Sequence, residues 1–268
     1  MDRIVLGYDG SAGSRAALEW VAQRSERRLA AMEIVTVPPQ MLLAEEDTAQ
    51  DCTEEAQRRL QDLAPRVQVI RVTGSPESLS DARTLSGLTV IGVELGAASR
   101  FRRRPLRLAT RSDQPVCLVP SSWVPSDKPV TLGLDDDDSS DDALVFACSE
   151  ANAATVPLRI VHAWPTDRSL RGDGAGSVSH PHAPRGVVYQ HTLDTAAERV
   201  HAQFPGLRVQ LHLVHDNAAA ALALRAQSSS LIVIGRHERA PVSSWVLGSV
   251  GRDLIGRLPT PLCVVPRT

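Results

Sequence analysis

Glycine followed by serine at the start of a helix is a phosphate-binding grouping, because free backbone N–H groups and a hydroxyl converge there. Gly248-Ser249-Val250 has that form, immediately ahead of the helical apolar pattern of Leu254, Ile255 and Leu258. Upstream, Gly235-Arg236-His237-Glu238 follows the apolar run Leu231–Ile234. Carboxylates cluster at Asp135–Asp138 with Asp141 and Asp142, six acids in eight residues. Asp141 and Asp142 fall where a helix begins, so the helix macrodipole accounts for them without a ligand. If the acids act on a ligand, the natural role is magnesium held at a triphosphate, since bare carboxylates repel phosphate. Asp9 and Asp135 each close a strand-like run, and suit a helix cap and a ligand contact equally. His162 and Trp164, at another strand end, read first as packed core residues.

Other chemistries are excluded by what the chain lacks. Lys128 is its only lysine and sits in Ser126-Asp-Lys-Pro, so neither a Walker A loop nor a lysine Schiff base is available. Gly10-Ser11-Ala12-Gly13 lacks the Gly-x-Ser-x-Gly spacing of a hydrolase elbow. The four cysteines form no Cys-x-x-Cys pair, and Cys117 and Cys263 lie inside apolar runs as small hydrophobes. Gly172, Gly174 and Gly176 mimic a phosphate loop, but no strand runs into them and no helix leaves, so 166–186 is expected to be a surface loop. His180 and His182 in that loop lack further metal ligands nearby, and no metal site is expected. Six arginines between Arg100 and Arg111 form a solvated face or an anion or partner patch. With only Phe101 beside them for stacking, and a net charge of −2 from 29 basic and 31 acidic residues, nucleic acid is not expected. No apolar stretch is long enough to span a bilayer and the N-terminus has no signal-peptide pattern, so a soluble cytoplasmic protein is expected.

The elements that must position these residues come in two sets. Ile4–Asp9 reappears at Thr131–Asp135 with an offset of 126, Leu88–Gly92 at Leu231–Gly235 with 143, and Pro115–Pro120 at Pro261–Pro266 with 146. The order is kept while the offset grows, so the 268 residues contain a duplication with insertions in the second half. The predicted strands are Arg3–Tyr8, Met32–Val37, Val67–Val72, Leu88–Ile91 and Val116–Val119, then Val130–Leu134, Leu158–Val161, Leu207–Val214, Leu231–Ile234 and Leu262–Val265. Helical patterns lie between them: one from Ala16, capped by Ser11 or Ser14; one over Glu45–Leu63; one opening at Ser75-Pro76; and one capped by Asn217. Near-continuous apolar strands alternating with helices predict two doubly wound α/β domains with parallel sheets, 1–124 and 128–268. Ligands in such sheets bind beyond the carboxyl ends of the strands, where the strand order reverses. The fifth strand of each domain would be an apolar edge in isolation, so the two are expected to pair with each other.

Val5-Leu-Gly-Tyr-Asp-Gly-Ser11, Ile232-Val-Ile-Gly235, Gly248-Ser-Val250 and Pro261-Leu-Cys-Val-Val-Pro266 resemble the universal stress protein family, and both halves carry the resemblance. It implies a tandem member, each domain a five-stranded parallel sheet of order 3-2-1-4-5. The ATP-binding branch of that family carries Gly-x-x-Gly, nine residues, then Gly-Ser/Thr. In the second half Gly235 and Gly248-Ser249 match at the right spacing, with Glu238 in place of the second glycine. In the first half Gly92 remains, but Leu95 replaces the second glycine and Pro105-Leu106 the Gly-Ser pair. The resemblance therefore implies one site in the second half for ATP, alone or with magnesium, or for another adenine nucleotide. It is formed by Asp135, His162, Ala163, Gly235, Arg236, His237, Gly248, Ser249 and Val250, and Val37 is the first-half counterpart of Ala163. It further implies a non-catalytic stress-response module acting on a regulatory protein partner, as an intramolecular pseudo-dimer in a monomer or homodimer. A ligand-free scaffold is the alternative, and an adenine-nucleotide α-hydrolase-like enzyme, whose Ser-Gly-Gly-x-Asp-Ser or His-x-Gly-His loops are missing here, a lesser one.

Overall fold

The computed structural model describes residues 3–28, 31–36, 46–63, 69–73, 87–94, 105, 107–135, 140–164, 185–236, 249–255 and 257–267. Ten strands run through these: β1 (Arg3–Tyr8), β2 (Ala31–Thr36), β3 (Val69–Thr73), β4 (Leu88–Val93), β5 (Val116–Pro120), β6 (Val130–Leu134), β7 (Leu158–Trp164), β8 (Val209–His215), β9 (Leu231–Gly235) and β10 (Leu262–Val265). The helices are α1 (Ala12–Arg28), α2 (Glu46–Leu63), α3 (Ser140–Ala154), α4 (Arg185–Gln203), α5 (Ala218–Ala226) and α6 (Ser249–Leu254). All ten strand patterns became strands, β7 running three residues further than its apolar core. The helix expected after Ser75-Pro76, Val37, the glycine loop and Arg100–Arg104 lie outside the described residues. No described helix is long and apolar enough to cross a membrane.

The strands form one sheet in the order β3-β2-β1-β4-β5-β10-β9-β6-β7-β8. Every pairing is parallel except β5 with β10, which is antiparallel, with Cys117 opposite Cys263. Two like edge strands related by a two-fold axis must meet antiparallel, and Cys117 and Cys263 are equivalent residues of the repeat. Both thiols are fully buried, and burial pushes both pKa values well above the ordinary thiol value. They pack as apolar groups.

Buried residues form two clusters, one on each face. Leu6, Leu18, Leu132, Leu144, Leu158 and Leu193 belong to the face covered by α1 to α4. Ile91, Val161, Leu222, Ile234 and Leu254 belong to the face covered by α5 and α6. Each cluster draws on both halves, so the halves share the core on both faces of the sheet. Apolar side chains on both sides of a strand require cover on both sides, which parallel crossovers provide.

Local chemistry sets the helix ends. Ser11 rather than Ser14 caps α1, its Oγ accepting from Ser14 N at 3.1 Å. Asn217 caps α5 by accepting from the N–H groups of Ala219 and Ala220. Helix α3 ends in a Schellman turn, with Val156 N–H donating to Ala151 O and Thr155 N–H to Asn152 O. Thr155 occupies the left-handed position there, φ 58°.

Candidate functional site

In the second half, β6 lies between β9 and β7. From β6 the chain winds outward through α3 to β7 and through α4 to β8, on one face. It then crosses by α5, on the other face, to β9 on the far side of β6. The strand order reverses between β6 and β9, which opens a crevice at their carboxyl ends. Leu134 and Asp135 leave β6 there, His162–Trp164 end β7, and Gly235 ends β9. These strands are parallel neighbours, so the sheet alone gathers residues that lie up to 100 positions apart at one edge.

The residues expected at the site have different fates. Asp135 is exposed at the crevice rim. His162 is buried, and its ring Nδ1 lies 3.1 Å from Leu134 O, tying the ends of β6 and β7 together. Ala163 and Val250 pack half-buried against the cluster beneath α5 and α6. Ser249 opens α6. His237 and Gly248 lie outside the described residues. Arg236 departs from the expectation. It is buried, and its Nη1 donates to Thr110 O at 3.2 Å and to Ser112 O at the end of the helical stretch 107–111 in the first half. A guanidinium satisfies carbonyls at a helix end well, so this side chain ties the halves together.

Aromatic rings that the sequence did not single out as a group stand next to this edge. Trp164 stacks on His215 at 3.9 Å between ring centres and on Tyr189 at 5.7 Å, and Tyr189 also meets His162 at 5.2 Å. Trp164 and His215 are register partners on β7 and β8, and Tyr189 comes from α4. The signal available in the sequence was the alternation of His162 with Trp164, which puts both on one face of the sheet. Finding Tyr189 and His215 required the strand pairing.

The corresponding crevice in the first half, between β1 and β4, is closed. A Cβ on Gly92 would lie 2.0 Å from the carbonyl carbon of Gly13, so the start of α1 sits directly on the backbone of β4. Gly13 N–H donates to Glu94 Oε1 at 2.9 Å, and Asp9 Oδ1 accepts from Ser11 N–H at 3.0 Å. Asp9 therefore caps a turn here, and a carboxylate from the chain itself satisfies the helix N-terminus. Among the described residues, no group of three or more His, Cys, Asp or Glu is placed to hold a metal ion.

Comparison with known proteins places this arrangement. The universal stress protein family model matches residues 128–266. A universal stress protein of Mycobacterium tuberculosis is 25% identical over 316 aligned positions, covering 98% of this chain and 95% of the relative. One of Mycolicibacterium smegmatis is 25% identical, covering 98% and 96%. Among solved structures, a universal stress protein from Archaeoglobus fulgidus superposes with a TM-score of 0.71 at 17% identity, covering 99% of this chain and 98% of the other. Another from Pseudomonas aeruginosa gives 0.63 at 13% identity, covering 99% and 93%. The matches to relatives and solved structures span both halves, and the strand order, the shared core and the family match agree: this chain belongs to the universal stress protein family.

Proposed function

We propose that the chain is a non-catalytic stress-response module of two domains, 1–124 and 128–268, that binds one adenine nucleotide, ATP, in its second half and presents the bound state to a regulatory protein partner. The observation that carries this reading is the occupied switch point of the first half, set against the motif spacing kept in the sequence of the second. The crevice between β1 and β4 is filled by the Gly13–Gly92 contact and by Glu94. Asp135 and Gly235 stand at the ends of β6 and β9, and in the sequence Gly248-Ser249 follows Gly235 at the spacing of a phosphate cradle. Ala163 offers backbone at the adenine position, and His162 holds the β6 and β7 ends in register beside it. Magnesium, in this reading, arrives with the triphosphate and meets the chain at Asp135.

Glu238 weakens that cradle. A carboxylate about 5 Å from one phosphate charge costs on the order of 3 kcal/mol at an effective dielectric near 20, more than a hundredfold in affinity. The test denatures purified full-length protein and assays released adenine nucleotide, then titrates ATP and adenosine by calorimetry. The expected result is one ATP site per chain, lost in Gly248→Asp. Glu238→Gly should tighten ATP and leave adenosine unchanged. Two equivalent sites would refute the asymmetry, and no adenine compound bound at millimolar concentration would replace this reading with that of a ligand-free scaffold.

A further inference from the structure

At the opposite end of the sheet from the crevice, three basic side chains converge from three elements. Arg159 is the second residue of β7, His212 lies on β8, and Arg225 stands in the last turn of α5. In the β7–β8 register Arg159 faces Gln210 and Val161 faces His212, so Arg159 and His212 are diagonal neighbours on the face that α5 covers. Arg159 Nη1 is anchored on Ser228, 3.0 Å from Oγ, and Ser228 Oγ in turn donates to Arg225 O. Arg225 Nη1 donates to Ala221 O at 2.9 Å. These bonds fix both guanidinium groups without using the side-on edge of Arg159, whose Nε is shut from solvent with no partner among the described residues.

No acidic side chain among the described residues pairs with any of the three. Burial holds the His212 pKa below the ordinary imidazole value, reinforced by the charged groups that face it, Arg225 and Arg159. Burial, and after it the charge of Arg225, likewise lowers that of Arg159. The carboxyl end of α5 supplies about half an elementary negative charge. Lys128, whose Nζ donates to Gln227 O at 2.6 Å, already meets it. The helix end therefore leaves the charge of the other basic groups largely uncompensated. The β8 side is open: β8 is the outermost strand of the sheet, and Gln210 and Leu211 are exposed.

We propose that Arg159, His212 and Arg225 form an oxyanion site for a tetrahedral phosphate group, separate from the nucleotide crevice. With Nη1 on Ser228 and Nε shut from solvent, Arg159 offers an anion one charge-assisted donor, Nη2. Donors from two guanidinium groups and an imidazole, arriving from different directions, suit a tetrahedral anion better than a planar carboxylate. Inorganic phosphate and a phosphate monoester share this chemistry.

The test follows the imidazole resonances of full-length protein by NMR, assigning His212 through its loss in His212→Gln, and titrates pH in inorganic phosphate, in glycerol phosphate, and in chloride at equal ionic strength. Phosphate should raise the His212 pKa saturably by about half a unit or more, and should do so equally in Gly248→Asp, which lacks the other phosphate cradle. The rise should vanish in Arg159→Gln and in Arg225→Gln. An effect of inorganic phosphate alone identifies a site for the free anion, and an effect of both identifies one that admits the monoester. A His212 titration identical in phosphate and chloride, or a rise that survives both arginine substitutions, overturns the proposal.

Discussion

Tyr8 shows how one side chain records the closure of the first half. It is fully buried at the end of β1, and burial, reinforced by the charge of Glu55, pushes its pKa up to about 12. Arg15 partly opposes this, and Arg15 is itself held on Glu55 at 2.8 Å. A phenol whose folded pKa exceeds its unfolded value of about 10 contributes stability that is intact below that value and lost as pH rises towards 12. In Tyr189→Phe, which leaves Tyr8 as the only tyrosine, tyrosinate absorbance is expected to appear only as the protein unfolds above pH 10. Titration at the ordinary value with the fold intact would show that the ring is accessible. In the second half the matching position is Leu134, whose carbonyl meets His162 instead. The same place in the fold thus closes on an ion-pair cluster in one half and faces the candidate site in the other.

At the scale of elements, most ends follow ordinary capping chemistry, and the exception can be tested. Thr155 adopts φ 58° at the residue after α3, where a β-branched side chain crowds its own backbone and glycine does not. The side chain is exposed, so little packing offsets the strain. Thr155→Gly should therefore stabilise the protein by about 1 kcal/mol, read as a higher urea midpoint with an unchanged slope. A loss of stability would mean that Thr155 makes a compensating contact. Gly92 is the opposite case. Alanine there would drive a methyl group into the α1 backbone, and nothing nearby can yield without moving the helix.

The whole molecule is organised about the axis between β5 and β10. Arg24 on α1 and Glu150 on α3 are separated by 126 residues, the offset that relates β1 to β6, so they are equivalent positions of the repeat. They meet across the seam as a buried pair, Nη2 to Oε1 at 2.7 Å, with Nε also on the carboxylate. Arg28 adds a bond to Ser149 Oγ at 2.8 Å. Two copies of one half would set Arg24 against Arg24, or Glu150 against Glu150, in a buried place. Breaking such a pair costs about 3–5 kcal/mol, and Arg24→Glu and Glu150→Arg should each lose stability on that scale. Mixing the two variants should produce a heterodimer by exchange of halves, because one of its seams then restores Arg24 with Glu150. Sedimentation showing only monomers of each variant in the mixture would count against a seam that selects unlike halves.

Sequence alone determined the parts whose signal is local. Apolar runs of strand length and the Asn217 cap depend on neighbours along the chain, the repeat offsets on comparing such runs, and the fold class, the ten strands and the family followed from them. The choice of Ser11 over Ser14 as cap needed the structure. The spacing of Gly235 from Gly248-Ser249 was equally legible, since it is a pattern along the chain. What the residues do across the sheet was not. Arg236 was placed in the nucleotide site by the resemblance alone, and its guanidinium reaches carbonyls 124 and 126 residues away. Glu94 carried no signal, yet it caps α1. Arg24 and Glu150, or Arg159, His212 and Arg225, are unremarkable along the chain and become significant only when strand order and the two-fold relation set them side by side. Charge complementarity between distant segments depends on three-dimensional distance, and only the folded sheet decides that distance.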